Sequence, residues 1–319
     1  MSRYLVTGGC GFIGSNLVKR LLADGDEVIV LDDLSTGRLD NVPDQVQVIQ
    51  ADVADVGAVL EAFGANVEGC FHLAANPSVS QSINDYAGCH RTNLGGTVAV
   101  FDSASKHAAK RGGPVPVVYA SSCAVYGDAD RVPLVEDTPV YPMSSYGADK
   151  LCGEVHARMA SSAYNLPTIG LRFFNVFGPG QRPDSVYSGV LSIFCRALAA
   201  GDQVTVFGDG AQERDFVFVD DVVGALCAAM AHTDTHSPGV FNVCTGSRRT
   251  LLDVGKVIAG LCATGFQPEF AQPRSGDIKI SVGDPGKCFE ALGWKSTTDF
   301  ADGLRQTIEW IERQTLDAS

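Results

Sequence analysis

Short runs of β-branched and apolar residues recur through the first half of the chain, at 4–7, 28–31, 46–50, 69–73 and 115–120, with amphipathic stretches of helical period between most of them. Strands that alternate with helices build a parallel sheet covered on both faces, so the pattern predicts an α/β fold with a doubly wound sheet. A run at 168–173 continues that sheet after a helix over 145–164. Beyond 177 the pattern loosens, and residues 178–189, rich in Gly, Pro, Arg and Ser, form a connection too long for a simple turn and therefore marked as functional. The first domain is placed at 1–177 and a smaller α/β substrate domain at 178–319. The run at 240–243 reads as a buried strand returning to the first sheet, which makes the second domain partly discontinuous. Residues 300–314 have helical spacing, with Leu304, Ile308 and Ile311 on one side.

Composition narrows the partners. A chain of 319 residues, 45% apolar and 19% charged with 35 glycines, has ample core and many tight turns. Its net charge of −13 repels phosphodiester backbones and anionic lipid, so neither nucleic acid nor a membrane is an expected partner. No uncharged run is long enough to span a bilayer, and the first residues run at once into a strand and a glycine turn, with no leader; the expected location is the cytoplasm. The ten cysteines are scattered singly with no C-x-x-C pair and read as small buried hydrophobes. Six histidines show no H-E-x-x-H and no pairing with cysteine at ligand spacing, so no metal site is expected.

The first strand opens into Thr7-Gly8-Gly9-Cys10-Gly11-Phe12-Ile13-Gly14-Ser15, a G-x-x-G-x-x-G turn followed by a helix over 12–23. Glycines there let the backbone approach a pyrophosphate, whose charge meets free N–H groups at the helix start. The Lys-Ser/Thr of a Walker loop is missing, and the next strand ends in Asp32-Asp33, about 20 residues on. A carboxylate at that point accepts ribose hydroxyls and repels a 2′-phosphate, so Asp32 favours NAD over NADP on a Rossmann-type sheet. Asp52 lies just past the third strand, where the loops meet an adenine; alone it reads as a helix cap. His72-Leu73-Ala74-Ala75 ends the fourth strand with small residues that admit the middle of the cofactor, the histidine itself reading as structural.

Further on, a buried strand emerges into Ser121-Ser122, and Tyr146 and Lys150 share one face of the next helix. A nearby ammonium favours phenolate over phenol, and Ser122 can bond the same substrate oxygen. The trio suits removal of a proton from an alcohol while hydride leaves its carbon.

With these residues assembled, the chain resembles the extended short-chain dehydrogenases/reductases and, within them, the NAD-dependent epimerase/dehydratase family, looking most like its UDP-hexose 4-epimerases. The resemblance covers nearly the whole chain. Besides the glycine turn and Tyr146-x-x-x-Lys150, it rests on Asp32-Asp-Leu-Ser-Thr-Gly37, His72-Leu-Ala-Ala75, Ser121-Ser-Cys-Ala-Val-Tyr-Gly127, Leu171-Arg-Phe-Phe-Asn-Val-Phe-Gly-Pro179, Arg214-Asp-Phe-Val and Arg274-Ser-Gly-Asp277. It implies catalysis by Ser122, Tyr146 and Lys150. It implies NAD held by Gly8, Gly11, Phe12, Ile13, Gly14, Asp32, Asp33, Ser35, Thr36, Gly37, Asp52, Val53, Leu73, Ala74, Ala75, Asn93, Tyr146, Lys150 and Phe174. A UDP-sugar pocket is implied at Ser122, Asn175, Gly189, Val190, Thr205, Phe207, Arg214, Arg274, Asp277 and Ser281. Arginines make separate sense in a chain of net charge −13 that must gather cations around a diphosphate. Family members usually dimerise through helices near 94–108 and 145–163, so a homodimer is expected.

The resemblance also sorts the reactions. Relatives that dehydrate or decarboxylate carry an acid after the serine or threonine, where this chain has Cys123-Ala124, so elimination lacks its acid/base and epimerisation at C4 is the expected course. Four residues past Asp277, Ser281 stands where a bulky tyrosine narrows the pocket of epimerases restricted to plain hexoses. UDP-GlcNAc/UDP-GalNAc are therefore expected substrates beside or ahead of UDP-Glc/UDP-Gal. UDP-glucuronate is the alternative, with Arg182 and Ser185 in reach of a carboxylate. The alternative of another class, a redox-inactive NAD-sensing protein, commonly lacks the Tyr/Lys pair that this chain keeps.

Overall fold

The structure, a computed structural model, describes residues 1–64, 66–77, 85–183, 189–273 and 278–317. Seven parallel strands form its main sheet: β1 Arg3–Thr7, β2 Glu27–Asp32, β3 Gln47–Gln50, β4 Gly69–His72, β5 Val117–Ser122, β6 Thr168–Phe173 and β11 Gly239–Val243, in the order β11-β6-β5-β4-β1-β2-β3. All residues of β4 and β6 are buried, as expected of strands covered on both faces. The order reverses between β1 and β4, and a sheet of this kind opens a crevice at the carboxyl ends of the strands there. Strand β5 starts and ends two residues later than the apolar run at 115–120, so both Ser121 and Ser122 lie in its ladder, opposite Arg172 and Phe173 of β6.

Two helical layers cover the sheet. On one face α1 (Phe12–Ala23), α6 (Val219–Ala231) and α8 (Gly286–Leu292) enclose Val6, Leu17, Phe71, Val222 and Trp294. On the other α2 (Val56–Phe63), α3 (Gly96–Arg111) and α4 (Ser145–Tyr164) enclose Leu5, Phe63, Val100 and Ala157. Thus more of the second half than the strand near 240–243 joins the first body: β11 pairs with β6, and α6 and α8 pack on the same core.

Three small sheets, β7–β10 (Asn175–Phe177 with Phe216–Phe218), β12–β9–β14 (Arg249–Thr250, Glu213–Arg214, Ile280–Ser281) and β8–β13 (Thr205–Phe207 with Glu269–Ala271), join α5 (Val190–Ala199), α7 (Leu251–Leu261) and α9 (Phe300–Asp317) in a third cluster around Phe177, Phe194, Phe216 and Leu304. Asp215, fully buried, ties this unit to the end of β11. Its carboxylate accepts the Thr245 N–H (2.8 Å) and hydroxyl (2.7 Å), the Gly246 N–H (2.8 Å) and the Gly283 N–H (3.4 Å).

Candidate active site

The turn after β1 is shaped by its glycines. Gly8 has φ +71°, and a Cβ on it would lie 2.7 Å from the Ala74 nitrogen; on Gly14 it would lie 2.1 Å from the Gly8 oxygen. Backbone therefore packs on backbone, and the first turn of α1 carries neither a side-chain cap nor an acidic residue, leaving its N–H groups to face the crevice. Asp32 steadies this turn by accepting the Cys10 and Leu34 N–H groups, each at 2.9 Å. Burial pushes its carboxyl up, while those two bonds hold it down.

The crevice has a volume of about 700 Å³. Its walls include Gly8, Gly11, Phe12, Ile13, Gly14, Asp32, Asp33, Ser35, Thr36, Val53, Leu73, Ala74, Ala75, Phe174 and, at the far end, Ser122, Tyr146 and Lys150. A positive helix end, a carboxylate for ribose hydroxyls and an apolar floor are the fittings a dinucleotide requires. Three more residues expected there are engaged with neighbouring protein groups. Asp52 pairs with Arg91 and accepts the Ala54 N–H; Asn93, buried, bonds the backbone of Asn76 through both side-chain ends; Gly37 packs on Cys10. Asn41, Asn76, Arg91 and Gln181 line the crevice although no motif marks them; among these only Gln181 lies in the long Gly- and Pro-rich connection at 178–189.

Below this wall His72 ends β4, buried between two threonines. Thr97 Oγ1 donates to the Asn93 carbonyl (2.6 Å) and so accepts from His72 Nε2 (3.0 Å), which leaves Nδ1 to accept from Thr7 Oγ1 (2.8 Å). The Thr7 oxygen in turn accepts the Ala74 N–H at 3.3 Å. The histidine is thus neutral, and burial drives its pKa down to about 3.

At the chemical end, Ser122 closes β5 and its oxygen accepts the Ala124 N–H (3.2 Å). Ser144 caps α4 by accepting the Gly147 N–H (3.1 Å), which sets Tyr146 in the first turn and Lys150 one turn on. Burial pushes the Tyr146 phenol up to about 12, outweighing the lowering effect of the Ser122 hydroxyl beside it. The expected lowering by Lys150 is not found. Its ammonium donates to the Ala120 carbonyl (2.9 Å), 5.8 Å from the centre of the Tyr146 ring, and burial lowers its own pKa to about 8. Desolvation disfavours both charged forms, outweighing Ser122 at the phenol and Asp149 at the ammonium.

A second cavity, of about 1050 Å³, lies on the smaller unit and is lined by Asn175, Val190, Thr205, Phe207 and Arg214. Gly189, at the start of α5, faces Gln181, and Ser281 is buried with its hydroxyl 3.8 Å from Cys123 Sγ, next to Ser122. Arg274, Asp277 and Ser185 lie outside the described residues.

A profile described as the NAD dependent epimerase/dehydratase family matches residues 4–244. The chain belongs to that family. It is 40% identical to a UDP-glucose 4-epimerase of Mycolicibacterium smegmatis, over 98% of this chain and 99% of that one. Among solved structures it superposes on a UDP-glucose 4-epimerase of Thermotoga maritima with UDP-glucose, with a TM-score of 0.92 at 34% identity over 98% and 99% of the two chains. A UDP-N-acetylglucosamine 4-epimerase of Methanobrevibacter ruminantium, in complex with UDP-N-acetylmuramic acid, gives 0.91 at 30% identity, with the same coverage. This family member is an isomerase of the UDP-sugar 4-epimerase kind that uses NAD. Among the described residues, no helix is long and apolar enough to cross a membrane.

Proposed function

We propose that the protein inverts C4 of UDP-hexoses, with UDP-GlcNAc/UDP-GalNAc accepted beside UDP-Glc/UDP-Gal. The observation that carries this reading is the meeting of Tyr146, Ser122 and Lys150 at one end of the dinucleotide crevice, with the small Ser281 beside Cys123, the residue after Ser122. Tyr146 takes the proton of the sugar 4-hydroxyl and Ser122 holds the same oxygen, while Lys150 orients the far end of the crevice through Ala120. When bound, NAD would supply an acceptor for the C4 hydride. Turning the 4-keto sugar about its diphosphate link presents the other face to the returning hydride, and Tyr146 gives the proton back. Asn175, Val190, Thr205, Phe207 and Arg214 hold the UDP portion in the second cavity, with Gly189 at its edge. Arg274 and Asp277 are assigned to the same pocket from the sequence.

The N-acetyl preference is tested by Ser281→Tyr. Proton NMR of separate incubations with UDP-GlcNAc and UDP-Glc is expected to show N-acetylated turnover falling roughly tenfold more than plain-hexose turnover, the range that one pocket wall commands; an equal change in both refutes the gate. UDP-glucuronate is the second reading, favoured by Arg182 on the crevice wall, and the same incubations decide it. The intact Tyr146/Lys150 pair speaks against a redox-inactive sensor.

A homodimer is supported by the exposed apolar residues Val98 on α3 and Val155 and Met159 on α4, which line adjacent helices. Light scattering that returns a monomer at micromolar concentration would remove this part of the proposal. Ten free cysteines suit a reducing cytoplasm.

A further inference from the structure

Ser122 ends β5 and Tyr146 rides on α4, so their separation depends on how that helix sits on that strand. Two side chains of α4 reach across. Lys150 donates to Ala120, and Glu154, two turns beyond Tyr146, accepts the hydroxyl of Ser121 (2.5 Å), the residue before Ser122. The same carboxylate takes a two-pronged bond from Arg172 of β6, Nε to Oε1 at 2.9 Å and Nη2 to Oε2 at 2.7 Å. Arg172 Nη1 donates to the Tyr126 hydroxyl (2.8 Å) and the Glu136 carbonyl (3.1 Å), and Tyr126 donates to Asn242 Oδ1 of β11 (2.7 Å). The side chains of Glu154 and Arg172 are 2% and 7% exposed.

A buried ion pair is a weak source of stability, because removing two charges from water offsets their attraction and a well-packed apolar pair often does as well. What the pair has and an apolar one lacks is direction. A planar fork that is satisfied on every side tolerates little sliding of α4 along β5. We propose that Glu154, locked by Arg172 and bonded to Ser121, is a positioning residue that sets Tyr146 at its working distance from Ser122. This rests on the catalytic reading of those two residues, for which Tyr146→Phe is the separate control.

The test compares NAD-loaded wild type with Tyr146→Phe, Ser121→Ala, Glu154→Gln and the apolar double variant Glu154→Leu/Arg172→Met, measuring kcat, KM, unfolding midpoint and bound NAD. The double variant is expected to keep its midpoint, its NAD and a KM within about threefold, while kcat falls about 30-fold or more, the scale of a misplacement of an ångström or less. Ser121→Ala, with the ion pair intact, is expected to lose about five- to tenfold in kcat alone, and Glu154→Gln to fall between. Wild-type kcat in a stably folded double variant overturns the proposal, since the pair then only fills space. Should that variant not fold, Ser121→Ala and Glu154→Gln decide: unchanged kcat in both overturns it, a fall in kcat at constant KM sustains it. A loss of less than about tenfold in Tyr146→Phe sinks the catalytic reading instead, whatever the network variants do.

Discussion

Replacing His72 with Gln removes a group that the fold keeps neutral. The folded pKa of about 3 lies below the ordinary 6.5, so between these values the unfolded chain binds a proton that the folded one does not. Stability from this source is complete above pH 6.5 and is lost as the pH falls toward 3. With those two values, linkage gives a loss of about 2 kcal/mol by pH 5 and about 3 kcal/mol by pH 4. His72→Gln starts lower, because Thr7 and Thr97 lose well-placed partners in a buried site, at about 1–3 kcal/mol. Its stability is then flatter in acid. Urea unfolding of both proteins at saturating NAD, at pH 7.5, 6, 5 and 4, separates the two effects: the gap between the curves is expected to narrow by about 2 kcal/mol between pH 7.5 and 5. A gap that stays constant over this range refutes the buried neutral histidine, since the pH dependence would then belong to groups that both proteins share.

Three further perturbations follow from the geometry. Gly14→Ala places a methyl against the Gly8 carbonyl, which backbone cannot vacate, so the purified protein should carry little NAD and turn over at least about 100-fold more slowly; normal cofactor content by absorbance would contradict this. Lys150→Met relieves a buried ammonium whose pKa has fallen to about 8, so at pH 7 and saturating NAD the variant is expected to be more stable by about 1–3 kcal/mol while nearly inactive, and a lower denaturation midpoint would count against the assignment. Asp215→Ala leaves four donors without their carboxylate and should lower stability by about 3 kcal/mol or more in chemical denaturation.

Much of the site could be read from the chain because it is local. The glycine turn, Asp32 and the i, i+4 pair Tyr146/Lys150 each lie within one turn or one strand end, and all of them line the crevice. The sheet was legible for a related reason: strands buried on both faces must be apolar runs, whatever their neighbours. Burial depth was not legible. Spacing places an ammonium near a phenol, but the balance between attraction and desolvation depends on the whole packed surroundings, and here desolvation prevails for both groups. Long-range pairings were hidden too. Asp52 is held by Arg91, 39 residues on, and Arg172 of β6 meets Glu154 of α4, so nothing in the local pattern told these apart from surface charges. The return of α6 to the first core was likewise concealed, since a helix with Val222, Val223, Ala225, Leu226 and Ala229 all buried suits either body.

Phe174 and Asn175 are neighbours in the chain yet line different cavities. Their backbone is fastened on each side, the Phe174 N–H to Val243 and the Asn175 N–H to Asp215. One peptide unit is thus a party wall between two rooms. The two cavities are separated at this point by the length of a single residue. A substitution that shifts the Phe174–Asn175 peptide therefore alters the walls of both cavities at once.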